Sequence, residues 1–341
     1  MNRFKVFLRD KNKKSVFRII KEVLILTYKK KEIPFYYFKY LYRRGVTNYL
    51  DYLSLKEQRT LQTHPKLHRQ DLVTILDNKL EFALLAKGSN IKVPEVISYN
   101  LKSKFYFDSE ISEIFELDEL ICFYEERFIA SKLDSLFMRP IDGNSGVGCF
   151  KLYKDKVQQQ LSNFGETILK SNYIASEVIK QHSDIDRIHP NCINTLRLVT
   201  LIKEDETTEI ISAFMRFGVG NSDVDNASSG GFFAGININE GTLKKKGHFL
   251  PQFGGAEIYV HPDSGFPLQG FKIPYYKEAC EAVLGAVKVI PDRLIGWDVA
   301  ISIDGPLIIE ANSQPHMQMS NIAHGGMLKN KAVRDVLKKL S

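Results

Sequence analysis

Residues 296–312 limit what this chain can fold into more than any other stretch. Gly296-Trp297-Asp298-Val299-Ala300-Ile301-Ser302-Ile303 and Leu307-Ile308-Ile309-Glu310-Ala311-Asn312 read as two apolar strands joined by a turn at Asp304-Gly305-Pro306. Three oxygen-bearing side chains interrupt them. Glu310 and Asn312 stand two apart on a strand and so point to one face. A three-residue loop pairs Ile303 with Leu307 and sets Asp298 opposite Asn312. Pro306 favours that loop because it has no N–H to give a ladder. A two-residue loop would turn Asp298 to the other face, so this reading depends on the turn. Two carboxylates and an amide oxygen on one face suit a hard divalent cation such as Mg²⁺. The alternative is an amphipathic hairpin with a solvated polar face, which fits poorly with Ile308, Ile309 and Ala311 set among the polar residues.

The 341 residues can bury a large core and hold two or more subdomains, and 44% hydrophobic with 26% charged residues is ordinary globular composition. Cys122, Cys149, Cys192 and Cys280 have no paired spacing, which argues against a disulfide framework or zinc site and suits a reducing cytosol. No apolar run approaches the roughly 18 residues of a membrane span. The N-terminal MNRFKVFLRDKNKK lacks the uninterrupted apolar core of a signal peptide.

The charge is unevenly spread. Residues 3–44 carry 14 Lys or Arg against Asp10, Glu22 and Glu32, a net of +11, so the rest of a chain totalling +7 carries −4. Within this segment residues 15–28 read as a helix, with Val16, Ile19, Ile20, Val23 and Leu26 near helical spacing, closed by Lys29-Lys30-Lys31 and Pro34. An aromatic cluster follows: Phe35, Tyr36, Tyr37, Phe38, Tyr40, Tyr42, Tyr49 and Tyr52. Residues 3–52 therefore read either as a contact with an anionic membrane surface or as a helical appendage that packs its aromatics and leaves its lysines in water. Stacking on nucleic acid needs the same residue types, but no nucleic-acid motif accompanies them, and no nucleic-acid partner is expected.

From about residue 70 helices and strands alternate. Asn78-Lys79-Leu80-Glu81 resembles a capping box opening a helix that ends near Gly88. A cation at Lys79, in the first turn, is disfavoured by the helix dipole and easier to explain if an anionic ligand shares the spot; an exposed lysine is the plainer reading. Leu136 to Pro140 reads as a strand ending in Arg139, followed by the glycine-rich Ile141-Asp142-Gly143-Asn144-Ser145-Gly146-Val147-Gly148 and a strand from Phe150. Glycines let backbone N–H groups close over phosphates, and Arg139 adds a fixed positive fork; a ligand-free glycine hairpin is equally compatible. It is not a Walker loop, since no Gly-Lys-Ser/Thr opens a helix. Asn194 and Arg197 interrupt the apolar strand Ile193–Leu201, and Arg216 interrupts the next, so each needs a partner, functional or structural. The polar Val224-Asp225-Asn226-Ala227-Ser228-Ser229-Gly230-Gly231 looks like a mobile substrate loop.

Taken in order, Arg139-Pro140 with its glycine loop, Glu177, Asn194-Thr195-x-Arg197, Arg216, Asp225-Asn226 with Gly230-Gly231, and Gly296-Trp297-Asp298 through Glu310-x-Asn312 resemble the ATP-grasp superfamily. The resemblance covers about residues 70–325 and is nearest to the sugar-transfer-associated (hexapeptide-transferase-associated) proteins of bacterial surface-polysaccharide clusters. It implies an α+β ATP-grasp fold with an N-terminal helical extension over 1–69, an ATP-grasp domain over 70–341, a lid about 134–180 and a metal and substrate subdomain about 190–325.

The resemblance also implies roles. Lys79 and Arg139 would hold nucleotide phosphates under a lid of Gly143, Ser145, Gly146, Val147 and Gly148. Arg139 departs from the family's usual lysine there, which alters its phosphate contact. Glu177, Val178 and Ile179 would read adenine, and Asp184 would meet the ribose. Asp298, Glu310 and Asn312 would bind two Mg²⁺ ions. Arg197 and Arg216, with Asn194, would serve catalysis, and Asp225, Asn226, Gly230 and Gly231 the substrate. The reaction implied is ATP-dependent ligation of a carboxylate, such as a sugar (uronic) acid, to an amino acid in capsule or O-antigen biosynthesis, giving ADP and phosphate at a cytoplasmic or inner-membrane location. The rival readings are a small-molecule kinase and a non-catalytic nucleotide-binding protein. His182, His189, His316 and His324 are candidates for taking the amine's proton or for buried structural histidines.

Overall fold

A computed structural model describes residues 3–143 and 146–340 of the chain. Its residues fall into two compact units, one of 1–77 with 181–341 and one of 78–180.

The first unit opens with helices α1 (Arg3–Arg9) and α2 (Val16–Lys30). Ser15 caps α2 by accepting from the Arg18 N–H, and Lys31 ends it in the left-handed conformation. One stripe of α2, with Ile19 and Leu26, buries against Tyr36, Tyr37, Tyr42 and Tyr52. These four aromatics are therefore packed inside the protein. Helix α3 (Leu55–Thr63) starts with a capping box between Ser54 and Glu57, and α4 (Gln70–Asp77) follows. Leu53, Leu61 and Leu67 share a core with Val199, Leu201 and Leu294. That shared core is why residues 1–69 pack with the later sheet, where the sequence suggested a separate extension ending at 69.

The second unit begins with α5 (Lys79–Gly88), whose expected bounds match, and whose first-turn N–H groups of Leu80 and Glu81 are accepted by the Asn78 side chain. Strands β1 (Val96–Leu101), β2 (Lys104–Phe107) and β3 (Glu110–Glu113), helix α6 (Leu117–Ser131), β4 (Ser135–Pro140), β5 (Phe150–Tyr153), helix α7 (Val157–Lys170) and β6 (Asn172–Glu177) complete it. They form an antiparallel sheet in the order β3-β2-β1-β6-β4-β5. Because β1 pairs with β6, this unit begins well before the lid boundary of 134 that the sequence suggested.

The chain then returns to the first unit through the short helix α8 (Ser183–Asp186). Strands β7 (Thr195–Ile202), β8 (Thr208–Phe217), β9 (Phe232–Asn237), β10 (Thr242–Phe249) and β11 (Glu257–Ile258) precede helix α9 (Tyr276–Val289). Strands β12 (Leu294–Ser302) and β13 (Gly305–Asn312) and helices α10 (Met317–His324) and α11 (Lys331–Leu340) end the chain. The sheet is antiparallel, in the order β11-β10-β9-β8-β7-β12-β13.

The β12–β13 register corrects the expected turn. Ser302 pairs with Gly305, so the loop is the two residues Ile303-Asp304, closed by Gly305 at φ 113°. Such a loop alone would have turned Asp298 away from Glu310. The pairing slips by one between Val299↔Ile308 and Asp298↔Glu310, leaving Ile309 as the extra residue of a bulge. The bulge restores the common face and sets Asp298 opposite Glu310, with Asn312 opposite Gly296.

Candidate active site

Across three neighbouring strands of the larger sheet, Arg197 on β7 lies opposite Asp298 on β12, which lies opposite Glu310 on β13. Residues in such a row share a face. Farther along that face, Val199, Leu201 and Leu294 are covered by hydrophobic residues of α3 and α11. On the opposite face the fully buried Trp297 donates its indole N–H to Thr200 at 2.9 Å. The row is thus an acidic and basic strip at the end of an otherwise apolar surface. Gly296 lets it form: a Cβ there would come within 2.8 Å of Pro315 and 3.1 Å of the Arg197 Nη1.

The Asp298 carboxylate is buried between two guanidiniums. Arg197 donates its Nε to Oδ1 and its Nη2 to Oδ2 at 2.9 Å, and the Arg216 Nη2 lies 3.0 Å from Oδ2. Burial pushes the Asp298 carboxyl upward, but Arg197 and Arg216 outweigh it and hold the pKa below its ordinary value. Burial likewise opposes the charge on Arg216, and Asp225, Asp298 and Glu310 together overcome it. Thr195 ties the cluster together. Its hydroxyl accepts from the Arg216 Nε at 3.0 Å and Nη2 at 2.6 Å and donates to Asp225, whose Oδ2 also accepts the Thr195 N–H at 2.8 Å. Asn312 reaches the Glu310 Oε1 at 3.4 Å.

This donor set fits a hard cation. Two guanidiniums, Arg197 and Arg216, face three carboxyl groups, Asp225, Asp298 and Glu310, and a hydrogen bond links Asp298 to Glu310. Each carboxylate oxygen has two lone pairs. Both oxygens of Asp298 are engaged by the guanidiniums, and the oxygens of Glu310 and Asn312 stand beside it. Carboxyl and amide oxygens of this kind are the ligands Mg²⁺ takes.

Other expected site residues lie in different roles. Asn194 is buried. Its side-chain amide is consumed by the Gln181 Oε1 at 3.1 Å, the carbonyls of His189 at 2.7 Å and Cys192 at 3.1 Å, and the Gly218 N–H at 3.2 Å. It holds backbone together. The 224–231 loop, expected to be a mobile substrate loop, carries hydrogen bonds of its own. Asp225 is buried on Thr195, and Asn226 caps the next turn by accepting from the Ser228 N–H at 3.0 Å. Gly230 takes φ 109°, and a Cβ on Gly231 would strike the Phe217 carbonyl at 2.5 Å. Asp184 lies in α8, where it meets the His182 Nδ1 through its N–H at 3.2 Å.

In the smaller unit, Lys79 turns its ammonium onto the glycine turn, donating to the carbonyls of Gly143 and, at 3.5 Å, Ile141. Arg139, at the end of β4, is buried. Gly146 and Gly148 take φ 75° and 79°, while Val147 projects into solvent. Ser145 lies outside the described residues. Glu177 ends β6, and its Oε1 accepts the Glu95 N–H at 3.0 Å; Val178 and Ile179 follow just beyond the strand.

Of the four histidines, His316 is the one whose neighbours include a row residue: burial, then Arg197 and Lys39, push its pKa down, keeping it neutral. His324 is pushed down to about 3 by burial and Lys244, and its Nε2 accepts the Ala213 N–H at 3.0 Å. His189 is buried in contact with Asp263, and His182 caps α8. Sequence reasoning passed over two residues. Thr195 could have been found from its i, i+2 spacing to Arg197 on one strand face. Asp77 accepts the N–H of Ser313 at 3.0 Å and its hydroxyl at 2.8 Å, anchoring the chain just past Asn312; nothing local marks it.

Comparison with known proteins follows from this geometry. Among solved structures, the chain is similar to the ATP-grasp ligase PsnB in complex with its minimal precursor (10% identity, 80% of this chain and 62% of that one, TM-score 0.42). It is also similar to D-alanine–D-alanine ligase from Bacillus anthracis (15%, 78% and 70%, TM-score 0.42). A third is N5-carboxyaminoimidazole synthetase from Staphylococcus aureus with ADP (12%, 72% and 45%, TM-score 0.40). The chain spans less than two thirds of the length of the first and third of these. No curated protein matches it. The profile described as sugar-transfer associated ATP-grasp matches residues 58–336, and this chain belongs to that family and has its α+β ATP-grasp fold.

Proposed function

We propose that this protein is an ATP-dependent carboxylate–amine ligase that joins a sugar (uronic) acid to an amino acid in surface-polysaccharide synthesis, on the cytoplasmic side of the membrane. The observation that carries the proposal is the Arg197–Asp298–Glu310 row, buried at Arg197 and Asp298 and half-buried at Glu310, with Asn312 beside it. In the proposed reaction a carboxylate oxygen of the sugar acid attacks the γ-phosphorus of ATP, and the bond to the β-phosphate oxygen breaks to release ADP. The amine then attacks the acyl carbon, phosphate leaves, and the amine's proton passes to a base.

Asp298, Glu310 and Asn312 would hold Mg²⁺, two ions in our reading, and bound Mg²⁺ supplies neutralisation of phosphate oxygens. The bonds described above take two of the five donors of Arg197 and three of those of Arg216. Donors beyond these are assigned to the oxygens of the acyl phosphate and of the tetrahedral carbon that follows. His316, neutral and next to Arg197, is assigned the proton. Lys79, Arg139 and the glycine turn are assigned the nucleotide phosphates, Glu177 to Ile179 the adenine, and Asp184 the ribose. Asp225, Asn226, Gly230 and Gly231 shape the acceptor side through the backbone they hold, which departs from direct substrate contact.

The test is a screen of nucleotide-sugar acids against the twenty amino acids with ATP and Mg²⁺, read by mass spectrometry, with ¹⁸O in the sugar carboxylate. An amide product, ADP, and one labelled oxygen in the released phosphate are expected. AMP and pyrophosphate would refute the mechanism. A stable phosphorylated sugar formed without any amine would replace it with kinase chemistry.

A further inference from the structure

We infer that the outer stripe of α2 is a docking surface for an anionic lipid bilayer. Helix α2 has two apolar stripes. The inner one, through Ile19 and Leu26, is buried against the tyrosine cluster. The outer one leaves Val16, Phe17, Ile20, Leu24 and Tyr28 each more than half exposed, Phe17 at 81% and Tyr28 at 86%. At 100° per residue these five fall within an arc of about 120°. Just beyond the helix, Ile33 and Phe35 are 64% and 65% exposed. The helix cannot turn this stripe inward, because its opposite face is pinned. Lys14 bonds Glu22 at 2.5 Å, and the Tyr37 hydroxyl donates to Glu22 at 2.7 Å.

Charge decides what covers the stripe. Lys21 is exposed at the edge of the stripe and Lys31 just past the helix, and Arg9, Lys11 and Arg44 gather near its start; Arg18, which is bonded to Glu22, and Lys29 lie toward the other side of the helix. The three carboxylates of residues 3–44 are turned to protein partners. Asp10 accepts from Tyr42 at 2.7 Å and Arg43 at 3.2 Å, Glu22 is buried, and Glu32 accepts the N–H groups of Leu55 at 2.9 Å and Lys56 at 3.0 Å. The surface around the apolar stripe is therefore cationic. A second copy of the chain would bring like charge against like charge on this face, whereas anionic headgroups complement it and accept the apolar side chains below them. No helix among the described residues is long and apolar enough to cross a membrane, so α2 lies along the bilayer surface.

Full-length protein should co-sediment with vesicles of phosphatidylcholine containing one third phosphatidylserine and not with phosphatidylcholine alone. Raising salt from about 0.05 M to about 0.5 M should weaken binding at least about tenfold. Phe17→Glu with Leu24→Glu should abolish binding, and Lys21→Glu with Lys31→Glu should weaken it at least about tenfold, both with unchanged melting temperature. Should the first pair misfold, Phe17→Trp supplies a separate reading: the sole native tryptophan, Trp297, is fully buried. Added anionic vesicles should then shift only the new indole's emission to the blue. Failure to bind anionic vesicles, binding indifferent to salt and headgroup, or a concentration-dependent dimer dispersed by the same substitutions would overturn the inference. None of these results bears on ligase activity, which is assayed without lipid.

Discussion

Two groups of buried charge lie in the same unit and are built on opposite plans. Around Glu22, Lys14 supplies one full countercharge, Tyr37 and Arg18 donate further hydrogen bonds, and the remaining contact of the Lys14 ammonium is the Leu41 carbonyl at 2.8 Å. Lys14 also faces the rings of Tyr37 and Tyr49 at 5.5 Å. The buried pair is neutral and enclosed. Around Asp298 the guanidiniums of Arg197 and Arg216 are outnumbered by Asp225, Asp298 and Glu310, and the row ends at the half-buried Glu310 and Asn312 on the sheet's edge strand. A closed cluster whose one carboxylate meets both Lys14 and Arg18 serves packing; a cluster in which carboxyl groups outnumber cations, open at the sheet's edge strand, is poised to take a ligand. The difference lies in the ratio of carboxyl groups to cations and in the edge strand that carries the last residue, since both clusters are buried and hydrogen-bonded.

The strongest way to break this comparison is to remove one carboxylate from each cluster. Glu22→Gln strands Lys14 without a countercharge and should lower unfolding free energy by about 3–5 kcal/mol in a urea titration. Glu310→Gln removes one of three carboxyl groups and keeps a hydrogen-bonding side chain, so stability should change by less than about 1 kcal/mol or rise as crowding of carboxyl groups is relieved. Equal losses in both variants would erase the distinction. The same Glu310→Gln protein should lose ATP-dependent turnover by about 10²–10³-fold at saturating Mg²⁺. Comparable turnover would remove Glu310 from the metal set.

Thr195→Val sharpens the comparison from within the open cluster. It keeps the side-chain shape but deletes the hydroxyl shared by Arg216 and Asp225. A stability loss of about 1–3 kcal/mol is expected by thermal or chemical denaturation. Turnover should fall less than in Glu310→Gln, because the arginine keeps Asp298. A larger loss of turnover than in Glu310→Gln would make Thr195 a direct participant.

Acid gives the smallest effect. The Glu22 and Asp298 carboxyls are both held below their ordinary values, so the native chain binds protons less readily than the unfolded one. Stability from both is complete above the unfolded carboxylate range near pH 4 and drains away as pH falls through the lower native values. In melts between about pH 3 and about pH 6, Glu22→Gln should lose less stability on acidification than the wild type, because the depressed Glu22 carboxyl no longer contributes. An unchanged slope would mean that Glu22 is not ionised in the native state.

Much of this molecule was legible locally. The Asn78 cap, the helix following Ser15, and the strands carrying Arg139, Glu177, Arg197 and Arg216 all follow from periodicity and end signals spanning a few residues. The ordered motifs were enough to point to the family. What stayed hidden depends on partners distant in sequence. Pro306 favours a three-residue turn after β12 in the sequence, whereas the fold takes a two-residue turn and keeps Asp298 and Glu310 together through the one-residue bulge at Ile309. Asn194 looks as available as Arg197 until the backbone of Gly218 and His189 closes on it. The tyrosines of the basic segment could have faced lipid or protein, and only the fold buries four of them while leaving Phe17 and Tyr28 outside. Sequence alone determined which residue types recur and on which face of which element, because backbone period and capping are local. Tertiary structure alone decided which charges meet, because Asp298 and Arg197 lie 101 residues apart and their pairing exists only once β7 and β12 are side by side.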